Sequence, residues 1–138
     1  MSLETYLNSI RGKSVAVIGI GVSNQPLIEL LEKNGISVTA CDQKSREALG
    51  DIADRLEQLG ARLQLGPDYL KGLRQDLIFR TPGLRPDVPE LMDAAAHGSR
   101  ISSEMEVFFE VCPCPILAVT GSDGKTTTTT LTSLILKQ

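Results

Sequence analysis

The chain has no apolar run that approaches the roughly 20 residues of a membrane span, and residues 1–11 lack the basic-then-apolar pattern of a secretory leader. Its three cysteines are too few and odd in number for a disulfide framework, and Cys112-Pro113-Cys114 is one residue short of a Cys-x-x-Cys redox or zinc pair. They read as reduced, structural cysteines of a cytoplasmic protein. Charge of one sign is also scarce. A net charge of −3 with 22% charged residues gives no footprint for nucleic acid or a membrane surface. There is no internal repeat, and no low-complexity segment apart from the threonines at 126–130.

What is present is alternation of strand-like and helix-like patterns along 138 residues, enough for one domain or one domain with a piece of another. Strands are predicted over 14–18, 36–41, 62–65 and 76–80, with a short segment at 100–102. Helices are predicted over 24–34, stopped by Gly35, and over 45–59, stopped by Gly60, with Leu49, Ile52, Leu56 and Leu59 on one face. A further helix over 88–97 places Val88, Leu91, Met92 and Ala95 on one stripe. This βα series predicts an α/β fold, a Rossmann-like open parallel sheet with helices on both faces. A new start is expected at Ser102: Ser103 caps a helix whose buried stripe is Met105, Phe108, Phe109 and Cys112, and Pro113 and Pro115 precede a strand over 115–119. The expected units are therefore 1–101, and 102–138 as the first helix, strand and phosphate loop of a second α/β domain.

Three glycine motifs carry the chemistry. The most specific is Gly121-Ser122-Asp123-Gly124-Lys125-Thr126-Thr127-Thr128, lying between the expected strand and a last helix. Backbone N–H groups of such a loop at a helix N-terminus surround a phosphate, the lysine serves the terminal phosphates, and the threonine hydroxyl serves Mg²⁺. It is not a full Walker A sequence, because Val119 stands where the first glycine would fall. A plain tight turn would leave Lys125 and five consecutive threonines, Thr126 to Thr130, without a reason, since β-branched residues are poor helix formers. The second motif, GIGVSN at 19–24, follows the first strand in the position of a dinucleotide fingerprint, with Asn24 in place of the third glycine. The amides of Val22, Ser23 and Asn24 can face a diphosphate, and Asp42, about twenty residues on, can accept from a ribose or base edge. Thr81-Pro82-Gly83 ends another strand, where open α/β sheets bind ligands; alone it is also an ordinary β-turn.

In this order and spacing, GIGVSN, Asp42, TPG at 81–83, SSEMEVFFE at 102–110 and TGSDGKTTTT at 120–129 resemble the Mur ligase family along the whole chain. The D-glutamate-adding branch matches better than the alanine-adding branch, whose first turn is richer in glycine. The resemblance implies a cytoplasmic, monomeric, three-domain enzyme of peptidoglycan precursor synthesis. Such an enzyme joins D-glutamate to UDP-N-acetylmuramoyl-L-alanine with ATP and Mg²⁺ through an acyl phosphate. By resemblance, Val22, Ser23 and Asn24 contact the diphosphate, Asp42, Gln43 and Lys44 the uracil end, and Thr81, Pro82 and Gly83 lie against the nucleotide. Gly121, Ser122, Asp123, Gly124, Thr127 and Thr128 cradle ATP, Lys125 neutralises its β- and γ-phosphates, and Thr126 offers its hydroxyl to Mg²⁺. Asn24, where many members carry glycine, and Asp123, often asparagine, are small polar departures.

Two other classes compete. An NAD-dependent oxidoreductase domain would use GIGVSN and Asp42 but leaves GSDGKTT without a role. A stand-alone module sensing a UDP-sugar would require a reading frame that stops at Gln138. The resemblance also implies that further metal ligands, a modified lysine and the D-glutamate domain lie beyond Gln138. The expected second unit is then a stub that folds back on the first or pairs with another copy. The purified chain is accordingly expected to form no ADP in a D-glutamate-dependent manner in a coupled ATPase assay, and such turnover would overturn the reading.

Overall fold

The computed structural model describes residues 1–137. Its centre is a five-stranded sheet in the order β3-β2-β1-β4-β5, built from β1 (Val15–Ile18), β2 (Val38–Asp42), β3 (Arg62–Leu65), β4 (Leu77–Phe79) and β5 (Arg100–Ser102). Every pairing is parallel; Val15 lies opposite Val38 on one side and Leu77 on the other. The helices are α1 (Leu3–Ile10), α2 (Asn24–Lys33), α3 (Arg46–Leu49), α4 (Asp51–Gln58), α5 (Pro89–Ala96), α6 (Glu104–Val111) and α7 (Lys125–Leu136).

Side chains alternate across a strand, so one parallel sheet feeds two cores. Val15 and Val17 of β1, Val38 and Ala40 of β2, and Leu77 and Phe79 of β4 point to one face. There they meet Tyr6, Leu7 and Ile10 of α1, Ile28 and Leu31 of α2, Ala53 and Leu56 of α4, and Val107 of α6. Ala16, Ile18, Cys41 and Ile78 point to the other face and meet Leu73 with Leu91 and Ala94 of α5. Helices on both faces of a parallel sheet make this the doubly wound, Rossmann-like architecture that the alternating pattern predicts.

Four local expectations are corrected. The predicted helix over 45–59 is two helices, because the chain turns at Gly50 (φ +52°, ψ −128°). Helix α5 buries Leu91 and Ala94 but leaves Met92 58% exposed, and Ala95 also faces solvent. Helix α6 buries Val107, while Met105, Phe108 and Phe109 are exposed and Cys112 is half-buried. That helix, which the sequence pattern puts at the head of the second unit, gives Val107 and Val111 to the core of the first. Finally, no strand forms over 115–119: residues 112–124 adopt neither helix nor strand, and Leu117 is 72% exposed. A strand exists only by pairing, and none of the described residues offers that segment a ladder. From residue 113 to residue 137 only Thr132 is half-buried and the rest are exposed, so this segment is not folded back into the core.

At the N-terminal edge of the sheet, Asp76 Oδ2 accepts from the Ser14 N–H at 2.8 Å and from the Ser14 hydroxyl at 2.6 Å. These bonds tie the start of β1 to the start of β4 and hold the Asp76 carboxyl below its usual range. A depressed native value stabilises the fold above the ordinary carboxylate value and ceases to do so as pH falls through the native one. Asp76→Asn is therefore expected to flatten the acid arm of stability. Urea midpoints followed from neutral pH to about pH 3 would fall more steeply for the wild type, and parallel curves would refute the assignment.

Candidate functional site

The strand order reverses at β1, whose neighbours β2 and β4 continue to opposite sides, and the crevice beyond the carboxyl ends of β1 and β4 is where such sheets bind ligands. Gly19 leaves β1 at φ +89°, and a Cβ built on it would lie 3.2 Å from the Thr81 Cβ. Glycine is required there on both counts, since an L side chain is strained at that φ and has no room beside Thr81. The GIG turn and the TPG turn therefore touch across the switch point.

The TPG segment is the β-turn that its composition predicts, closed by Leu84 N–H to Thr81 O at 3.0 Å. Its setting rather than its type marks it. Arg80, which the sequence motifs do not single out, braces the turn by donating to Leu84 O at 3.1 Å. The signal available for it is a basic residue immediately before TPG, at the end of an apolar strand.

On the other side of β1, Asp42 is buried and both of its carboxylate oxygens are used. Oδ2 accepts from Ile20 N–H at 2.7 Å, and Oδ1 accepts from Lys44 N–H at 2.9 Å. Asp42 thus fastens the turn after β1 to the turn after β2. Gly66 N–H donates to Asp42 O and Lys44 O, adding the turn after β3, while Gln43 and Lys44 remain exposed beside it. The neighbouring Cys41 is pushed up to about 12, first by burial and then by the Asp42 charge. Each carboxylate oxygen carries one backbone bond and keeps a second lone pair, so Asp42 braces the turns without losing its capacity to accept from a ligand.

Asn24 replaces the third glycine of the fingerprint without filling the crevice. Its buried amide turns under the loop and donates to Ile18 O at 3.0 Å and Gly19 O at 2.9 Å. With those carbonyls satisfied from below, the loop presents N–H groups outward. The first backbone bond of α2 is Gln25 N–H to Gly21 O, and among the described residues Val22, Ser23 and Asn24 N–H have no acceptor. Ser23 makes no capping bond, and Val22 projects from the turn at 91% exposure.

The second loop repeats this arrangement away from the sheet. Gly124 caps α7 in the left-handed region (φ +73°), and the first backbone bond runs from Thr128 N–H to Gly124 O. Among the described residues Lys125, Thr126 and Thr127 N–H consequently have no acceptor at the helix start, the donor set that a phosphate requires. Lys125 Nζ folds over the loop onto Gly121 O at 2.6 Å and Ser122 O at 3.4 Å. Ser122, Asp123 and Thr126 are exposed. The structure thus brings GIGVSN, Asp42, Gln43, Lys44 and TPG to one sheet edge and leaves 121–128 on the exposed segment.

No family model matches the chain. It is 55% identical to UDP-N-acetylmuramoylalanine–D-glutamate ligase of Ruminiclostridium cellulolyticum over 130 residues, which is 94% of this chain and 28% of that protein. It is 54% identical to the ligase of the same name from Clostridium novyi over 136 residues, 98% of this chain and 30% of that one. Among solved structures, a murein peptide ligase from Psychrobacter arcticus matches at TM-score 0.60 and 25% identity, covering 91% of this chain and 26% of that one. UDP-N-acetylmuramate–alanine ligase from Thermotoga maritima matches at TM-score 0.56 and 28% identity, covering 91% of this chain and 29% of that one. The chain thus spans about 30% of the length of these curated relatives.

Removing the Asn24 amide leaves buried carbonyls without donors. Asn24→Ala is expected to cost about 1–3 kcal/mol in urea unfolding, against less than about 0.5 kcal/mol for Ser23→Ala. Equal losses would show that the amide does not hold the turn.

Proposed function

This chain belongs to the Mur ligase family, and from that premise we propose that it is the UDP-substrate-recognising part of a ligase that adds D-glutamate to UDP-N-acetylmuramoyl-L-alanine, together with the loop that receives ATP. The observation that carries the reading is the contact of the Gly19 turn with Thr81 at the point where the strand order reverses. It makes a crevice lined by free amides on one side and a braced turn on the other.

In this reading Val22, Ser23 and Asn24 N–H donate to the diphosphate, reinforced by the positive end of α2. Asp42 has its oxygens on Ile20 and Lys44, so it acts on the uracil end by fixing the turn that presents Gln43 and Lys44. Thr81, Pro82 and Gly83 form the facing wall. Pro82 and Gly83 are exposed, and Gly83 has nothing within 4 Å of a built Cβ, which leaves room for a nucleotide.

The residues at 121–128 fit ATP with Mg²⁺. Bound there, the nucleotide supplies the phosphoryl group that activates the substrate carboxylate for attack by the amine of D-glutamate. The chain's own part is electrostatic. Lys125, now on the Gly121 and Ser122 carbonyls, would neutralise the β- and γ-phosphates, the amides of Lys125 to Thr127 with Thr128 would cradle phosphate, and the Thr126 hydroxyl would serve the metal. The whole enzyme then works as a cytoplasmic monomer. Among the described residues no helix is long and apolar enough to cross a membrane. The boundary between the recognition unit and the ATP unit, expected at 101/102, falls after α6 in this reading, since Val107 and Val111 pack in the first core. The exposed face of α7, with Leu131, Leu134, Ile135 and Leu136, belongs to the interior of the second unit and is the surface through which this chain self-associates.

Isothermal calorimetry of the chain with UDP-N-acetylmuramoyl-L-alanine, and separately with Mg²⁺-ATP, tests the reading. Saturable 1:1 heat is expected for the UDP compound and is expected to be abolished by Gly19→Val, which drives a side chain into Thr81. ATP is expected to give much weaker heat. Absence of UDP binding, or binding unaffected by Gly19→Val, would move recognition away from the crevice.

A further inference from the structure

The pair Cys112 and Cys114 has no part in the reading above. Their spacing is wrong for a helical Cys-x-x-Cys pair, but α6 has already ended. Cys112 is its C-terminal cap with extended backbone (φ −62°, ψ 121°), its N–H donating to Phe108 O. Along extended chain, residues i and i+2 fall on one face. The two sulfurs accordingly lie 3.6 Å apart, with Cys112 Sγ also 3.5 Å from Cys114 O. Pro113 between them fixes its own φ, so little freedom is lost when the sulfurs meet. Cys112 is half-buried and Cys114 exposed, whereas the third cysteine, Cys41, is fully buried.

We propose that Cys112 and Cys114 form a reversible intramolecular disulfide when the chain meets a small-molecule disulfide, locking the turn that joins α6 to the phosphate-loop segment. The exposed Cys114 thiolate attacks the oxidant, whose S–S bond breaks and releases one thiol, leaving a mixed disulfide. Cys112, already in contact, attacks the Cys114 sulfur and expels the second thiol. Two protein thiols are oxidised by two electrons, and one oxidant disulfide is reduced to two thiols that carry the protons away. A ring closed over a single intervening residue removes very little chain entropy and is strained, so this bond is a labile switch rather than a staple. Among the described residues no group of three or more His, Cys, Asp or Glu is placed to hold a metal, so the pair has no further ligands that would make it half of a metal site. The Cys112 sulfur, first through the hydrogen bond and then through charge, holds the Cys114 thiol above its ordinary range. Attack is therefore faster in mildly alkaline solution.

The test is to incubate the reduced chain with excess oxidised glutathione and read intact mass, titratable thiols and a non-reducing gel. The wild type is expected to lose two of its three thiols and two hydrogens in mass, remain monomeric on the gel, carry only a trace of glutathione, and return to three thiols with dithiothreitol. With Cys112→Ser, glutathione on Cys114 becomes the major species, because the resolving thiol is gone. Glutathione retained on Cys114 in the wild type, a disulfide-linked dimer, or three thiols left intact would each overturn the proposal.

Discussion

The constraint from which the rest follows is that β1 is buried on both faces and paired on both edges. Its four residues, Val15 to Ile18, are at most 1% exposed, and its neighbours lead away in opposite directions. A strand in that position has no polar face to offer, which is why it reads as an unbroken apolar run. Its carboxyl end is also the one place where two loops must diverge to either side of the sheet. The crevice is a by-product of that divergence, and the residues that refine it need only hold the two rims in place.

Holding the rims falls to groups that a motif would assign to a ligand. Asp42 and Asn24 both lie beneath the Gly19–Ile20 turn, one accepting its N–H and the other donating to its carbonyl. Both side chains are buried, so these bonds are shielded from water and each is worth more than its counterpart at the surface. The outward face of the turn is left to backbone donors, whose N–H dipoles are fixed in direction and suit an anion such as a diphosphate.

Much of this was legible from residues alone. Strand patterns and the glycine at each turn point to the parallel sheet with helices on both faces, whereas the order β3-β2-β1-β4-β5 and its reversal at β1 are visible only in the fold. What failed did so for physical reasons. Helix α1 went unread although Tyr6, Leu7 and Ile10 repeat at helical spacing behind Ser2, whose hydroxyl accepts from Thr5 N–H. The expected α6 stripe follows its aromatic residues, whereas the packing buries Val107 and leaves Phe108 and Phe109 outside. The strand over 115–119 has the composition of a strand, but composition cannot supply a neighbour. The hydrogen bonds of Asp42 and Asn24 were beyond reach because they depend on which side of a turn a side chain falls, a matter of backbone geometry rather than residue type.

The amino group of Met1 donates to Glu110 O at 3.1 Å, so the entrance to α1 lies against the last turn of α6. During synthesis this imposes an order. Tyr6, Leu7 and Ile10 emerge well before Val107, about a hundred residues later, with which they share a core. Part of that core therefore stays open until nearly the whole unit has left the ribosome, and a chaperone or the ribosome surface has a long interval in which to hold it. Closure of this end and completion of β5 then come almost together, late in the synthesis of the unit.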